Sequence, residues 1–363
     1  MLLTDASVNL FTRPMDEHFA SFPELMQRCH TSRQAGREVP SDAKRILFLN
    51  RNDKLSVVVG DDHEVVPTAW SLSQIAASCR VPVYVLEQLK TDTAVRVLNE
   101  TYPRSELSER LALVENGRLR ALTSSSYSRL WDVHVLGEIH RWLLPDGRFV
   151  PAMPTVNTDQ VGTNLRGNNK PALFRGDRDS FTFFYSSKRP GDDGLGGLRK
   201  GIVVYNSEVG ARSFGYETFY FREMCANFLI WDARQVVRRR AIHKGSLDRV
   251  FREFKLDLIE ASAEIEQHEL DVFRRAAEIS FAGDGSPTKE NREAAEERLQ
   301  REFGATKTMS RRAVEAALNP ENPGDLSLWG IANGFTSIAK LETWAGSMAD
   351  LSVQAGRVLA LAQ

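Results

Sequence analysis

Asn206-Ser207-Glu208 closes an apolar run and is followed by Val209-Gly210, so an amide, a hydroxyl and a carboxylate stand in consecutive positions. Such a trio at a strand end could hold a metal or a polar ligand. It also reads as an Asx-type turn, with Gly210 supplying a positive φ. Arg222 is the companion expected for Glu208, because a guanidinium grips a carboxylate bidentately. The same arginine could instead hold a phosphate. Cys225 and His243 fall in one segment, but a thiolate nucleophile needs an adjacent base and zinc needs three or four ligands. His134 and His140 point to different sides of one helix. No catalytic residue, metal or cofactor is therefore expected, and Cys225 reads as a buried structural thiol.

Charge gives the second candidate chemistry. The chain has 363 residues and a formal charge of −1, so it carries no global basic field. Locally the balance is uneven. Between 222 and 245, Arg222, Arg234, Arg238, Arg239, Arg240 and Lys244 face only Glu223 and Asp232. Between 164 and 200, cations that include Lys188, Arg189, Arg199 and Lys200 outnumber carboxylates eight to four, whereas 246–303 holds fifteen carboxylates against nine cations. Phosphate contacts each need a local cation, and an aromatic such as Tyr216 could stack on an unpaired base. The competing expectation is that these cations pair with the acidic helices of the same chain or of a second copy.

These residues need elements to position them. Arg45–Leu49 and Lys54–Gly60 read as strands around the turn residues Asn50–Asp53, and Leu111–Val114 and Leu119–Thr123 flank Asn116-Gly117, a strong hairpin signal. Ser71 is a candidate N-cap, Pro82 opens a second helix, and Asp132–Leu144 has helical apolar spacing. Strands are expected at Ser180–Tyr185, Gly201–Tyr205 and Phe214–Phe221, with a short helix around Met224–Leu229. The glycine-rich stretch 191–197 lies between strands and opens no helix, so it reads as a hairpin tip with cations at its base and not as a phosphate loop. From Ser246 the period changes. Leu247, Val250, Phe251, Phe254, Leu258, Ala261 and Ile265 form one helical stripe, extending to about Ala282 as one long helix or two in series. Further helices are expected at 288–302, 310–318 and 326–362.

The fold expected is α+β: an antiparallel, hairpin-built sheet with packed helices, followed by a helical C-terminal part. The divisions expected are an N-terminal segment 1–40, a body 41–245 and the helical part 246–363. The switch from strands to helices argues against alternating βαβ units.

Asn206-Ser207-Glu208-Val209-Gly210, Phe221-Arg222, Cys225-Ala226-Asn227 and His243-Lys244-Gly245 together resemble the DUF932 family of phage- and plasmid-associated proteins. Thr123–Arg129 is similar to that family's serine–tyrosine strand end, and Ser327–Thr336 to its C-terminal Trp/Asn/Thr helix. Phe228 stands where the family pattern has glycine after Asn227. The resemblance implies a genetic context and brings no established activity.

At 42% hydrophobic and 26% charged, the composition is that of an ordinary globular protein. Three scattered cysteines fit a reduced, cytoplasmic setting. No run approaches the 18 apolar residues of a membrane span, and the first residues lack a basic-then-apolar leader pattern. The function expected is non-catalytic binding, extending to annealing, of single-stranded nucleic acid in phage- or plasmid-type DNA metabolism. The alternatives are a metal-dependent hydrolase or nuclease centred on Glu208, and a host-directed interaction or inhibitor protein. A homo-oligomer is allowed for, and no membrane partner is expected.

Overall fold

The computed structural model describes residues 19–103, 109–151, 173–188, 197–222, 227–230, 238–241, 251–255, 265–320, 322–339 and 354–362, with Glu17, Leu195 and Leu351 as single positions. Ser21 caps α1 (Phe22–Ala35), which runs directly into β1 (Gly36–Asp42). The boundary expected at residue 40 therefore falls inside a strand. β1 is paired along its whole length with β5 (Glu109–Glu115), so Gly36–Asp42 is part of the first sheet.

The first sheet adds β2 (Leu47–Arg51), β3 (Lys54–Val59), β4 (His63–Pro67) and β6 (Arg118–Ser124), in the order β1-β5-β6-β4-β3-β2. Its pairs are antiparallel except β4 with β6. Both expected hairpins form. Asn52 and Asp53 have φ of 52° and 60°, and Asn116 and Gly117 have φ of 50° and 74°. Positive φ at both central residues matches the right-handed strand twist. The sheet curls until the end of β3 meets β1, where Gly60 N–H donates to Ser41 Oγ. A Cβ at Gly60 would lie 2.6 Å from Val39 Cγ1, so this approach requires glycine.

Three helices close this sheet: α2 (Ala69–Ser78), α3 (Val83–Gln88) and α4 (Thr91–Thr101). Ile46, Phe48, Val57, Ile75, Leu98 and Leu119 fill the space beneath them. Thr68, not Ser71, caps α2. Ser71 is buried, and its hydroxyl donates to the Leu119 carbonyl at 2.6 Å.

The second sheet is built on β9 (Ser180–Ser186), β10 (Leu198–Asn206) and β11 (Phe214–Arg222), all antiparallel. β7 (Phe149–Pro151) and β8 (Leu173–Arg175) share the outer edge of β9. β12 (Asn227–Ile230) and β13 (Arg238–Ala241) share the outer edge of β11. β12 occupies residues where a short helix is expected. Asn227 and Ile230 pair with Arg222 and Tyr220 of β11 across a register irregularity, and Phe and Ile are residue types that favour strands. The central strand β10 is buried at every residue.

α1 and α5 (Asp132–Leu143) lie against this sheet around Leu25, Leu136, Ile139, Phe184, Ile202 and Phe254. The short helical stretch 251–255 brings Phe254 onto Phe214, ring centroids 4.5 Å apart. Of the two alternatives expected, one long helix or two in series, the described residues fit the second. Glu266 forms a capping box with Glu269, and α6 (Gln267–Glu278) starts afresh. Leu247, Val250, Leu258 and Ala261 lie outside the described residues.

α6, α7 (Lys289–Phe303), α8 (Lys307–Ala317) and α9 (Leu328–Ala339) make the helical C-terminal part around Phe273, Leu299, Val314, Trp329 and Phe335. Leu198 and Tyr220 join that core, so the helices seat on the end of the second sheet where β10 begins. Thus the expected α+β class, antiparallel hairpins and helical C-terminal part are all present.

Candidate functional site: a buried charged joint between the sheets

The Asn206–Gly210 turn forms as a turn, but Ser207 makes it and Asn206 does not. Ser207 Oγ accepts from the amides of Val209 and Ala211 at 3.3 and 2.9 Å and donates to the Arg178 carbonyl at 2.5 Å. Gly210 has φ +79°, as the reversal needs. The Asn206 amide points inward and donates to the Leu130 carbonyl and to Asp132 Oδ1, at 2.9 and 2.8 Å.

Side chains from the first sheet and its helices hold the turn's backbone. Tyr127 Oη donates to the Ser207 carbonyl at 3.0 Å, and Arg129 Nη1 donates to the Glu208 carbonyl. Trp70 Nε1 and Gln74 Nε2 of α2 donate to the Val209 carbonyl at 3.1 and 3.4 Å. The serine–tyrosine stretch 123–129 and the Asn-Ser-Glu stretch therefore meet in space across nearly 80 residues of sequence.

Glu208 is 2% exposed. Its Oε2 accepts from Arg120 Nη1 at 2.7 Å and from Arg175 Nη2 at 2.9 Å. Its Oε1 accepts from the Asp132 amide at 2.9 Å, so the carboxylate also sits at the positive end of α5. The network continues on both sides. Arg120 reaches Glu115 Oε2 at 3.0 Å, Ser32 Oγ donates to the same oxygen at 2.7 Å, and Arg175 Nη2 donates to Ser32 Oγ at 2.8 Å. Arg175 Nε meets Asp132 Oδ2 at 2.9 Å, and Ser180 Oγ donates to Asp132 Oδ1 at 2.7 Å. Two more pairs border the cluster: Arg129 with Glu38 at 2.7 Å and Arg212 with Asp179 at 3.0 Å.

Burial acts against charge throughout. It works against an ionised Glu208, but Arg175 and Arg120 outweigh it and hold that carboxyl below the usual range. Burial first, and the Glu208 charge second, push Asp132 up; Arg175 and the hydrogen bonds from Asn206 and Ser180 act in the other direction. Burial resists the Arg175 charge, yet Glu208 and Asp132 keep it firmly protonated. Cys29, also buried beside the cluster, has its thiol pushed far up by burial and by Asp132.

Chemically this arrangement is a joint. The donors converging on Glu208 leave its carboxylate engaged on both oxygens, and the turn's carbonyls are taken by side chains of the facing sheet. Arg222 is not the companion of Glu208. It pairs with Leu198 at the opposite end of β10, about eight residues or roughly 26 Å along the strand. The partners are Arg120 and Arg175, which sequence reasoning passed over as partners. The available signal was a cation inside an apolar run: Arg120 between Leu119 and Ala121, and Arg175 directly after Leu173-Phe174.

The expected nucleic-acid residues are dispersed. Lys188 is exposed at the end of β9. Arg199 is buried, donates to the Ser186 carbonyl at 3.2 Å and lies over the Tyr185 ring. Lys200 is buried against Glu269 of α6 at 2.9 Å, and Tyr220 Oη donates to the same carboxylate. Lys200 is thus paired with the acidic helical part, as the competing expectation holds. Tyr216 is 2% exposed and packs on Phe254, with no face left for a base.

Arg238, Arg239 and Arg240 lie in β13, opposite Glu217, Tyr216 and Gly215. Arg199 sits opposite Phe221, so roughly 17 Å of β11 separates the two basic segments. Asn227 begins β12. Arg189, Lys244, Cys225 and His243 lie outside the described residues.

No family model, no curated protein and no solved structure matches this chain. No helix among the described residues is long and apolar enough to cross a membrane.

Proposed function

We propose that this chain is a phage- or plasmid-type DNA-metabolism protein that binds single-stranded nucleic acid without cleaving it, along the border strand β13. The observation that supports the reading is the pairing of Arg238–Ala241 with Phe214–Glu217. Three consecutive arginines are thereby placed in extended backbone, in a strand that pairs with β11 at the margin of the sheet among the described residues, and a local concentration of cations suits a phosphate backbone. The resemblance to the DUF932 family carries the genetic setting. Two of the motifs behind it, Thr123–Arg129 and Asn206–Gly210, make one joint, which suits a role for them in assembling the fold. The hydrolase alternative draws no support from Glu208, whose carboxylate is buried and held by two guanidiniums and a helix amide.

The test is a salt-titrated binding measurement with single- and double-stranded oligonucleotides, with and without magnesium. The variant is Arg238→Ala/Arg239→Ala/Arg240→Ala. Its affinity for single strands should fall equally for all sequences, because backbone contacts carry no base information. The salt slope should fall by roughly 2, at about 0.7 per lost phosphate contact. Unchanged affinity and slope in a folded triple variant would overturn the reading in favour of an interaction protein. Magnesium-dependent cleavage would overturn it in favour of a nuclease.

A further inference from the structure

α2 and α3 are short helices joined by four residues, Cys79-Arg80-Val81-Pro82. The end of α2 is closed by a Schellman turn. The Val81 amide donates to the Ala76 carbonyl at 2.9 Å, and the Arg80 amide to the Ala77 carbonyl at 3.1 Å. This sets Arg80 at φ +56°, in the left-handed region that such turns usually give to glycine. Ile75, Ala76, Cys79 and Leu86 are buried together, with Val81 and Val83 packed against them, so one apolar cluster holds both helices and the turn. Two helices joined by a turn of three or four residues are the unit from which helix-turn-helix DNA readers are made.

The side of α3 turned away from that cluster carries Tyr84, Glu87 and Gln88, spaced i, i+3 and i+4 and therefore neighbours on one face. All three are exposed, and Tyr84, at 64%, is the most exposed large hydrophobic side chain among the described residues. An exposed cation stands beyond each end of the helix, Arg80 before it and Lys90 after it. Polar residues of the adjoining elements are already matched: Arg45 with Asp61, Arg51 with Glu64, Asn50 with Asp92 and Arg96 with Glu100. Among the described residues, no ion pair or side-chain hydrogen bond engages Arg80, Tyr84, Glu87, Gln88 or Lys90. Arg80 thus bears a steric cost that glycine would avoid, and no contact of its side chain inside the chain offsets it.

We propose that α2 and α3 form a helix-turn-helix that reads double-stranded DNA, with the exposed face of α3 in the major groove. The side chains on that face have the chemistry of base edges. Glutamine matches the N6 and N7 groups of adenine, glutamate accepts from cytosine N4, and an apolar ring contacts the thymine methyl group. Six residues make α3 about 9 Å long, and the major groove is about 12 Å wide. Cations just beyond both ends of the helix therefore come within side-chain reach of the phosphates that border the groove. This surface belongs to the helices of the first sheet and is separate from the single-strand reading of β13, which pairs with the second sheet.

The experiment follows fluorescence anisotropy of labelled DNA on the full chain. The probes are a random-sequence duplex pool, the duplex most enriched from that pool by selection on the wild-type chain, and a random single strand. Arg80→Gly/Lys90→Ala removes both cations, and its glycine relieves the positive φ, so denaturant unfolding should find it folded and weakened binding is not loss of structure. Its salt slope on duplexes should fall by about 2, at about 0.9 per lost phosphate contact, with single-strand affinity unchanged. Tyr84→Ala/Gln88→Ala should lower the preference for the selected duplex over the pool by about fivefold or more, with affinity for the pool retained. In the triple arginine variant of β13, duplex binding should survive. Failure to enrich any duplex, wild-type duplex affinity and slope in Arg80→Gly/Lys90→Ala, or a sequence preference untouched by Tyr84→Ala/Gln88→Ala would each overturn the proposal. A wild-type chain that binds single strands alone would overturn it and leave the reading of β13 standing.

Discussion

Arg175 holds several members of the joint at once. It bridges Asp132, Glu208 and Ser32 while 5% exposed, so its removal strands two carboxylates in a place water barely reaches. Leaving one partner of a buried pair uncompensated costs about 3–5 kcal/mol. Arg175→Ala should therefore lower stability by about that amount in denaturant titration. Surface pairs offer a comparison. Arg96 with Glu100 is an exposed i,i+4 pair, and its removal should change stability far less. Equal losses at the two sites would show that the joint is not desolvated as described. Glu208 adds an acid limb to this behaviour. Its carboxyl is held low, so its contribution is present above the usual glutamate range and is lost as the pH falls through the folded value.

Among the elements, the border strand β2 shows how an open edge is managed. α4 lies along it, and Asn99 on that helix takes the place of a missing neighbouring strand. The Phe48 amide donates to Asn99 Oδ1 at 3.1 Å, and Asn99 Nδ2 donates to the Phe48 carbonyl at 2.7 Å. Further along, Asn50 Nδ2 donates to Asp92 and Thr91 Oγ1 to the Asp53 carbonyl. A capped edge does not recruit another chain. Asn99→Ala should cost about 1–3 kcal/mol, because two partly buried backbone groups lose their partner. The hydrogen-exchange rate of the Phe48 amide should rise with it. Full retention of Phe48 protection in the variant would show that the edge is closed by something other than this asparagine.

At the scale of the whole molecule, polar contacts seat the parts on one another. The two sheets meet through the Glu208 joint, and the helical part meets the second sheet through Lys200, Glu269 and Tyr220. Burial, reinforced by Glu269, pushes the Tyr220 phenol far up, so it donates its proton to Glu269 at all ordinary pH. Lys200→Met should cost about 3–5 kcal/mol by leaving Glu269 unpaired. The double variant Lys200→Met/Glu269→Leu should recover much of that loss, since two apolar groups can replace a buried pair. A double-mutant cycle reads the coupling, and strict additivity would show that the two groups do not interact.

The sequence by itself determined the local structure. Asn116-Gly117 and Asn52-Asp53 accept positive φ at both positions, so the hairpins at 109–124 and 47–59 were legible from dipeptide chemistry. The apolar spacing of Val133, Leu136, Ile139 and Leu143 marked α5, and the shift to helical period marked the C-terminal part. Turn formation at Asn206–Gly210 was also legible, because Gly210 tolerates the φ that the reversal imposes.

What the tertiary structure alone decided is which charges meet. Glu208 and Arg222 are near in sequence, but an antiparallel hairpin carries them to opposite ends of one sheet. Glu208 and Arg120 are 88 residues apart, and the stacking of two sheets brings them to 2.7 Å. In the same way the basic stretches read from the sequence as one surface, while strand register buries Arg199 and Lys200 and leaves Arg238–Arg240 on a separate edge. Local backbone preference acts over a few residues and is written in their types. The pairing of charges depends on long-range register and layer packing, so no window of sequence contains it.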